Sequence, residues 1–244
     1  MIQLKGVTKK FGALTAVDDV SYTIRRGEYF ALLGPNGAGK TTIVRMILGF
    51  SAPTCGMVTL EGMPAANPAA HQGIGYLAEN HRIPPFLSGR AYLRRHAALV
   101  GLSGKSAQIE VDRILELINM AGNADKKSAT YSKGMVQRIG FGAALLGKPK
   151  LLILDEPVAG LDPIGIRKTR SILENLRQES LTLILNSHLL SEVEKTCDSV
   201  AIMDQGRILV KDAIYNIVKE NESLEDVFIR YTERNGREIT GKGT

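Results

Sequence analysis

A glycine-rich segment between an apolar run and an amphipathic stretch constrains the fold of this chain most strongly. The apolar run Tyr29 to Leu33 has the length and composition of a buried strand. The stretch Ile43 to Leu48, after the glycines, has the spacing of a helix. The sequence therefore predicts a strand, a loop and a helix in direct succession, with the helix beginning near Lys40.

The loop itself fits the pattern G-x-x-x-x-G-K-[ST], since it consists of Gly34-Pro35-Asn36-Gly37-Ala38-Gly39-Lys40-Thr41. Backbone N–H groups of such a loop close around a polyphosphate, and the following helix directs its positive dipole end at the same anion. A plain strand-to-helix turn is the alternative, but it needs only one glycine. We expect Lys40 to pair with the β- and γ-phosphates of a nucleotide, Thr41 to hold Mg²⁺ and Thr42 to reach the α-phosphate.

Length and composition are those of an ordinary globular protein, with 244 residues, 44% hydrophobic and 23% charged. No apolar stretch approaches the roughly 20 residues of a membrane-spanning helix, and the first residues lack the apolar core of a secretory signal. The net charge of +6 is scattered and aromatic residues make up only 5%, which fits an anionic membrane surface better than nucleic acid. We expect a cytoplasmic protein that does not cross a bilayer.

The order of periodic segments predicts an α/β fold, a mixed sheet with helices on its faces. Strand patterns cover residues 2–7, 16–24, 29–33, 74–77, 151–154, 181–186 and 199–203, and helical patterns cover 40–49, 163–179 and 189–197. Between residues 86 and 147 the strand patterns stop and apolar residues recur at helical spacing. We therefore predict a core of residues 1–85 and 148–210 that is split by a helical subdomain, residues 86–147.

The last part of the chain, residues 211–244, is predicted to be a short extension. It follows a strand at 207–210, and Ser223-Leu224-Glu225-Asp226 resembles a capping box with Asp at N3. The short amphipathic helix that begins there is either a packing element or a partner site. Residues 235–244 are expected to form a loose tail.

Two adjacent carboxylates end a second apolar strand, Leu151 to Leu154. Ligand sites of such sheets lie at the carboxyl ends of the strands. Asp155 fits the carboxylate that holds Mg²⁺ through water, and Glu156 fits the base that polarises an attacking water. The alternative is that both residues form a solvated strand end before Pro157.

A histidine follows a third apolar strand, in the pair Ser187-His188. A lone histidine is commonly an ordinary polar residue. If this strand ends at the same sheet edge as Asp155 and Glu156, the imidazole of His188 reaches a γ-phosphate and helps to align the water.

A serine in Tyr131-Ser132-Lys133-Gly134-Met135 stands at the N-cap of a predicted helix, residues 133–146. With this segment, the motifs and their order resemble those of the ATP-binding subunits of ABC transporters. In that family the segment is the signature motif, commonly Leu-Ser-Gly-Gly-Gln, whose serine contacts the γ-phosphate bound to the opposite subunit. The resemblance implies that Ser132 and Gly134 meet ATP across a dimer, and the Tyr-Ser-Lys-Gly-Met variant resembles exporters of drugs, antibiotics, haem and polysaccharides.

The resemblance extends from residue 1 to about residue 232 and implies a P-loop NTPase core with an antiparallel β portion near the N-terminus. It implies that Phe11 stacks on the adenine ring and that Val17 makes an apolar contact to the base. Gly160-Leu161-Asp162-Pro163 is similar to the D-loop, which couples the two sites of the dimer, and His188 is similar to the switch histidine.

One departure from the family pattern is Glu79, which stands where the family usually places glutamine. A carboxylate still meets Mg²⁺ or its bound water, but it cannot donate a hydrogen bond as an amide does. We therefore include Glu79 among the candidate metal ligands and expect coupling between nucleotide and partner to be tuned differently.

The function implied by the resemblance is that of an ATP-hydrolysing subunit with ATP and Mg²⁺ as cofactors, peripheral on the cytoplasmic face of the membrane. Its partners are a second ATPase subunit and a separate membrane-spanning subunit that carries out transport, with export as the expected direction. The alternative is an ABC-type ATPase that acts on ribosomes or nucleic acid, but such proteins typically carry two ATPase domains or a long coiled-coil insertion. A non-catalytic sensor subunit would have lost Glu156 or His188, and both are present.

Overall fold

The computed structural model describes residues 2–178 and 180–240. The strands are β1 (Ile2–Phe11), β2 (Leu14–Ile24), β3 (Tyr29–Leu33), β4 (Cys55–Leu60), β5 (Met63–Pro64), β6 (Ile74–Leu77), β7 (Leu151–Asp155), β8 (Thr182–Asn186), β9 (Ser199–Asp204) and β10 (Arg207–Ala213). The α-helices are α1 (Lys40–Ile47), α2 (Gly89–Leu99), α3 (Gly104–Leu117), α4 (Lys133–Leu145), α5 (Pro163–Arg177), α6 (Leu190–Thr196), α7 (Ile214–Ile217) and α8 (Leu224–Thr240).

The chain forms two compact units. The first unit consists of Met1–Gln72 and Ile184–Thr244, and the second unit consists of Gly73–Leu183. Strand β8 begins in the second unit and ends in the first. The predicted boundaries of the helical subdomain, residues 86–147, stay a prediction, and α2, α3 and α4 all lie within them.

An antiparallel sheet with the strand order β2-β1-β4-β5 forms part of the first unit. Along β1, Ile2 and Leu4 are buried and Lys5 is exposed, which is the alternation of a strand with one covered face. The predicted antiparallel portion near the N-terminus is thus confirmed. The sequence prediction did not include β4, because it opens with three exposed residues and buries only Val58 and Leu60.

A mixed sheet runs through the first unit, where β9 lies between β10 and β3. The β9–β10 pair is antiparallel and the β3–β9 pair is parallel, with Phe30 opposite Ser199. All five residues of β3 are buried, as expected for a strand that is covered on both faces. The predicted α/β fold is confirmed.

The second unit contains a parallel pair of strands and a helical layer. Strand β6 pairs with β7, with Ile74 opposite Leu151 and Leu77 opposite Leu154. Helices α2, α3 and α4 pack on one another. Their mutual faces bury residues at helical spacing, including Leu93 of α2 and Ile114 of α3. The predicted helical character of this region is confirmed.

The C-terminal part departs from the prediction at two places. Strand β10 continues to Ala213, beyond the predicted end at residue 210. Helix α8 continues to Thr240, so the predicted loose tail is wrong for residues 235–240, and residues 241–244 lie outside the described part of the chain. The prediction was wrong because residues 235–244 contain Gly, Arg and Lys and few apolar residues, a composition that is typical of an irregular tail.

The capping box at the start of α8 is confirmed. The N–H of Ser223 donates to the Asp226 carboxylate at 2.8 Å, and the N–H of Asp226 donates to Ser223 Oγ at 3.2 Å. Leu224 and Val227 are fully buried, and α8 packs on α6 and β9. These contacts favour the packing role over the partner role. Within residues 2–178 and 180–240, no helix combines the length and the apolar character needed to span a bilayer.

Candidate nucleotide site

The glycine loop of the first unit connects β3 to α1, as predicted. Gly39 has a φ of 103° and forms the N-cap of α1. A Cβ atom on Gly39 would lie 2.4 Å from the carbonyl oxygen of Ala16, and one on Gly34 would lie 2.2 Å from that of Met203. Because both obstacles are backbone atoms, side chains are excluded, and the loop can present its own backbone to a ligand.

Strand β10 and its turn complete the surroundings of this loop. The N–H of Gly206 donates to the carbonyl oxygen of Ala38 at 3.0 Å, and the N–H of Asp18 donates to the carbonyl oxygen of Gly206 at 2.9 Å. The β9–β10 turn is therefore hydrogen-bonded both to the glycine loop and to β2. The shape of the loop depends on residues that lie far from it in the sequence.

Lys40 is buried at the start of α1, with 7% of its surface exposed. Its Nζ donates to the carbonyl oxygens of Gly34 at 2.6 Å and Pro35 at 2.9 Å, so the ammonium group lies over the loop. Among the described residues, α1 has no acidic side chain in its first turn. Its N-cap residue is Gly39, so no side chain caps the helix. The positive end of the helix dipole is thus left for an external anion, and Thr41 is exposed beside it.

The two predicted base contacts differ in exposure. Val17 is fully buried and its Cγ2 lies 3.4 Å from the position that a Cβ atom would occupy on Gly39, so Val17 supports the loop directly. Phe11 at the end of β1 is 50% exposed. Lys9 Nζ lies 5.0 Å from the Phe11 ring centroid and donates to the carbonyl oxygen of Ala52 at 2.7 Å. One face of the ring thus carries a cation–π contact.

Ser187 and His188 follow β8 directly. Ser187 is buried and its Oγ accepts a hydrogen bond from the N–H of Leu189 at 3.2 Å. This turn holds the imidazole of His188 at the surface of the first unit.

The paired carboxylates of the second unit end β7, as predicted. Asp155 is 3% exposed and Glu156 is 9% exposed. The alternative of a solvated strand end is therefore wrong. Carboxylates are rarely buried to this degree outside ion-pair, metal or catalytic settings.

Glu156 also has an unusual backbone, with a φ of 52°. Its carbonyl oxygen accepts hydrogen bonds from Gln137 Nε2 at 2.8 Å and from the N–H of Ala159 at 3.2 Å. Non-glycine residues in this left-handed region carry strain and cluster at functional sites. The sequence does not reveal this role of Gln137, since no local pattern pairs positions 137 and 156.

The signature segment begins α4, with Ser132 as the N-cap. Ser132 Oγ accepts a hydrogen bond from the N–H of Met135 at 3.2 Å, which confirms the predicted cap. A Cβ atom on Gly134 would lie 3.1 Å from the carbonyl oxygen of Gly160, and the stem of Lys133 lies over Gly160. The segment that resembles the D-loop thus packs on the signature segment.

The same two segments are also joined by charge. Arg138 of α4 lies 3.6 Å from the carboxylate of Asp162. Asp162 also accepts a hydrogen bond from the N–H of Gly165 at 2.9 Å and is the N-cap of α5, the helix predicted from residue 163.

Glu79 is exposed in a tight turn after β6. The turn is closed by the N–H of His81, which donates to the carbonyl oxygen of Ala78 at 3.2 Å. His81 Nε2 lies 2.9 Å from the carbonyl oxygen of Val136 in α4. Sequence reasoning missed His81, which attaches the Glu79 turn to the signature helix.

The candidate metal ligands Thr41, Glu79 and Asp155 all offer oxygen atoms, the donor type that Mg²⁺ prefers. Within residues 2–178 and 180–240, no cluster of three or more His, Cys, Asp or Glu side chains is gathered as a metal site. A Mg²⁺ ion that keeps waters and binds substrate phosphates needs only one or two protein ligands. Thr41 in the first unit, and Glu79 and Asp155 in the second, therefore each have the donor chemistry that suits magnesium bound with a nucleotide.

Comparisons with known proteins agree with this chemistry. The sequence profile of the family described as ABC transporter matches residues 17–159. An uncharacterized ABC transporter ATP-binding protein, YhcH of Bacillus subtilis, is 40% identical over 96% of this chain and 76% of its own length. The bacitracin transport ATP-binding protein BcrA of Bacillus licheniformis is 36% identical over 91% of this chain and 72% of its own.

Some relatives are longer, and the chain spans 58% of the length of an uncharacterized ABC transporter ATP-binding protein from Nostoc sp.. A solved structure, an ATP-binding subunit of an ABC transporter, superimposes with a TM-score of 0.87 at 28% identity, covering 95% of this chain and 99% of that one. Profile, relatives and fold agree with the glycine loop and the buried carboxylates: this chain belongs to the ABC transporter family, as one of its ATP-binding ATPase subunits.

Proposed function

We propose that the chain hydrolyses ATP with Mg²⁺ as one half of a subunit pair and thereby drives export through a separate membrane-spanning subunit. The observation that carries the proposal is the burial of Asp155 and Glu156 at the end of β7. Burying carboxylates is costly, and a buried acid next to a metal-binding acid is suited to base catalysis.

The first unit binds the nucleotide in this proposal. The loop Gly34 to Gly39 wraps the phosphates, and Lys40 exchanges its two carbonyl acceptors for β- and γ-phosphate oxygens. Thr41 serves as a Mg²⁺ ligand and Thr42 reaches the α-phosphate. The exposed ring of Phe11 stacks on the adenine, beside Val17.

Catalysis depends on the carboxylates of the second unit. Asp155 and Glu79 would hold Mg²⁺ or its water ligands, and the bound metal would supply charge neutralisation. Glu156 accepts the proton of the attacking water, while His188 of the first unit orients the γ-phosphate.

The serine of the signature segment supports a dimer. Ser132 Oγ uses a lone pair to cap α4, and its O–H remains a donor toward the γ-phosphate of ATP bound to another subunit. In this proposal, the N-terminus of α4 and Gly134 approach the same phosphate. Two ATP molecules are then enclosed between two subunits, and hydrolysis of the ATP allows the subunits to separate.

The similarity to BcrA, a bacitracin transport ATP-binding protein, supports an antibiotic as the class of cargo. In this proposal the chain lies on the cytoplasmic face of the membrane and its membrane-spanning partner carries the substrate. Purification of the intact protein from membranes of the cells that produce it, followed by identification of the proteins that accompany it, tests for the membrane-spanning partner. Recovery with ribosomes instead of a membrane protein would contradict the transport role.

The direct test of the site is Glu156→Gln, with Glu174→Gln as a control at an exposed carboxylate of α5. We expect Glu156→Gln to bind ATP, lose turnover and elute as a dimer only when ATP is present. The control should behave as the parent protein. Rapid turnover by Glu156→Gln would contradict the role of Glu156 as the base.

A further inference from the structure

A buried amide in the signature helix is bonded to the backbone of the proposed base. Gln137 is 4% exposed, and its Nε2 donates to the carbonyl oxygen of Glu156 at 2.8 Å. Gln137 lies in α4, about 1.4 turns after the N-cap residue Ser132. The acceptor of this hydrogen bond is a backbone peptide group and not another side chain.

That peptide group needs support for a physical reason. Glu156 has a φ of 52°, a region that residues with a side chain adopt only when their surroundings impose it. The next residue, Pro157, has no N–H and cannot help to hold the turn. Gln137 and the N–H of Ala159 together occupy both lone pairs of the Glu156 carbonyl oxygen.

The orientation of this peptide fixes the direction in which the Glu156 side chain leaves the backbone. We infer that Gln137 is a positioning residue for Glu156 and links it to the end of α4 that carries Ser132. The inference rests on the proposed function, in which Ser132 contacts ATP on the partner subunit and Glu156 acts on the subunit's own ATP. A displacement of α4 on contact with one nucleotide would thus reach the base that serves the other nucleotide.

The test uses Gln137→Met, which keeps the length of the side chain and removes the donor. Gln137→Asn keeps the amide on a shorter side chain, and it is used in place of Gln137→Met if that variant does not fold. The matched control is Gln108→Met, which removes an exposed amide from α3. Each protein is purified at full length, and kcat, KM, equilibrium ATP affinity and Tm are measured.

We expect kcat to fall about tenfold or more, because small misplacements of a reacting group have effects of this size, while ATP affinity changes less than about twofold. In the Glu156→Gln background the same substitutions should leave the residual single-turnover rate unchanged, since the residue acts through the Glu156 carboxylate. Gln108→Met should be indistinguishable from the parent.

Two results would overturn the inference. The first is an unchanged kcat in the Gln137 variants. The second is a parallel loss of kcat, ATP affinity and Tm that is repeated with the same factor in the Glu156→Gln background, which marks a merely structural residue. A rapid turnover of Glu156→Gln alone would instead refute the base assignment, so the two failures are distinguishable.

Discussion

At the scale of single residues, Gly39 must be glycine for reasons of conformation and of space. Gly39→Ala would place a side chain at a φ of 103° and within 2.4 Å of the Ala16 carbonyl oxygen. We expect a loss of about 1–3 kcal/mol in stability, the cost typical of a strained backbone, and a large loss of ATP affinity. Fluorescent-nucleotide titration and urea unfolding measure both. Gly122→Ala is the control, since no atom lies within 4 Å of its would-be Cβ.

We expect Phe11 to contribute to binding of the adenine ring of ATP and not to binding of its phosphates. Phe11→Ala removes an exposed ring, and stacking of a base on an aromatic ring contributes about 1–3 kcal/mol. We expect ATP affinity to fall at least about fivefold, with the affinity for inorganic triphosphate unchanged. Competition titrations with both ligands check this. Leu14→Ala, at an exposed position of the same hairpin, is the control, and equal losses for both ligands would contradict the stacking role.

At the scale of elements, α4 combines a structural cap with a proposed phosphate contact, and the two can be separated. Ser132→Asp keeps the N-cap but brings a negative charge to the γ-phosphate. We expect a Tm close to that of the parent and a loss of ATP-dependent dimerisation, measured by light scattering. Ser88→Ala is the converse control. It removes the N-cap of α2, in which Ser88 Oγ accepts a hydrogen bond from the N–H of Ala91. We expect it to cost about 1 kcal/mol of stability and to leave dimerisation intact.

Helix α2 gives the fold a dependence on pH. His96 and Tyr92 line a cavity of about 230 Å³ with residues of β6 and α4. Burial lowers the pKa of His96 from its usual 6.5, and the neighbouring His81 lowers it further. The unfolded chain therefore binds the proton more tightly, and stability is lost as the pH falls below 6.5. Urea unfolding between pH 7.5 and 5.5 should show a smaller loss in His96→Gln, and equal losses would contradict this.

Elements are predicted well from the sequence where a motif and a pattern of apolar residues coincide. The apolar run of β3, the glycine loop and the start of α1 lie where they were predicted, because all three signals are local. Strand β4 was missed because its first three residues are exposed, so its own pattern is weak, and pairing with β1 holds it in the sheet. The hydrogen bond between Gln137 and Glu156 joins positions 19 residues apart, and such contacts follow from tertiary packing that no local pattern encodes.

At the scale of the whole molecule, a composite site should allow two inactive variants to restore each other. Lys40→Ala cannot hold the phosphates in its own site, and Ser132→Asp cannot complete the site of its partner. In an equimolar mixture with random pairing, about half of the dimers are mixed and each of these contains one intact site of two, so about a quarter of the parent's sites should form. ATPase activity against mixing ratio tests this, and an inactive mixture would contradict a shared site.

The strand pairing of the first unit has a consequence for synthesis on the ribosome. Strand β3 pairs with β9, so that Phe30 lies opposite Ser199, and the Gly206 N–H closes on Ala38. Such distant pairings form late, since the chain grows from its N-terminus and long-range contacts are slow. A nascent chain that has not yet exposed residue 206 lacks these supports for its glycine loop. The phosphate-binding segment therefore becomes competent only after residue 206 has left the ribosome, so ATP in the cell cannot stabilise the growing chain before then.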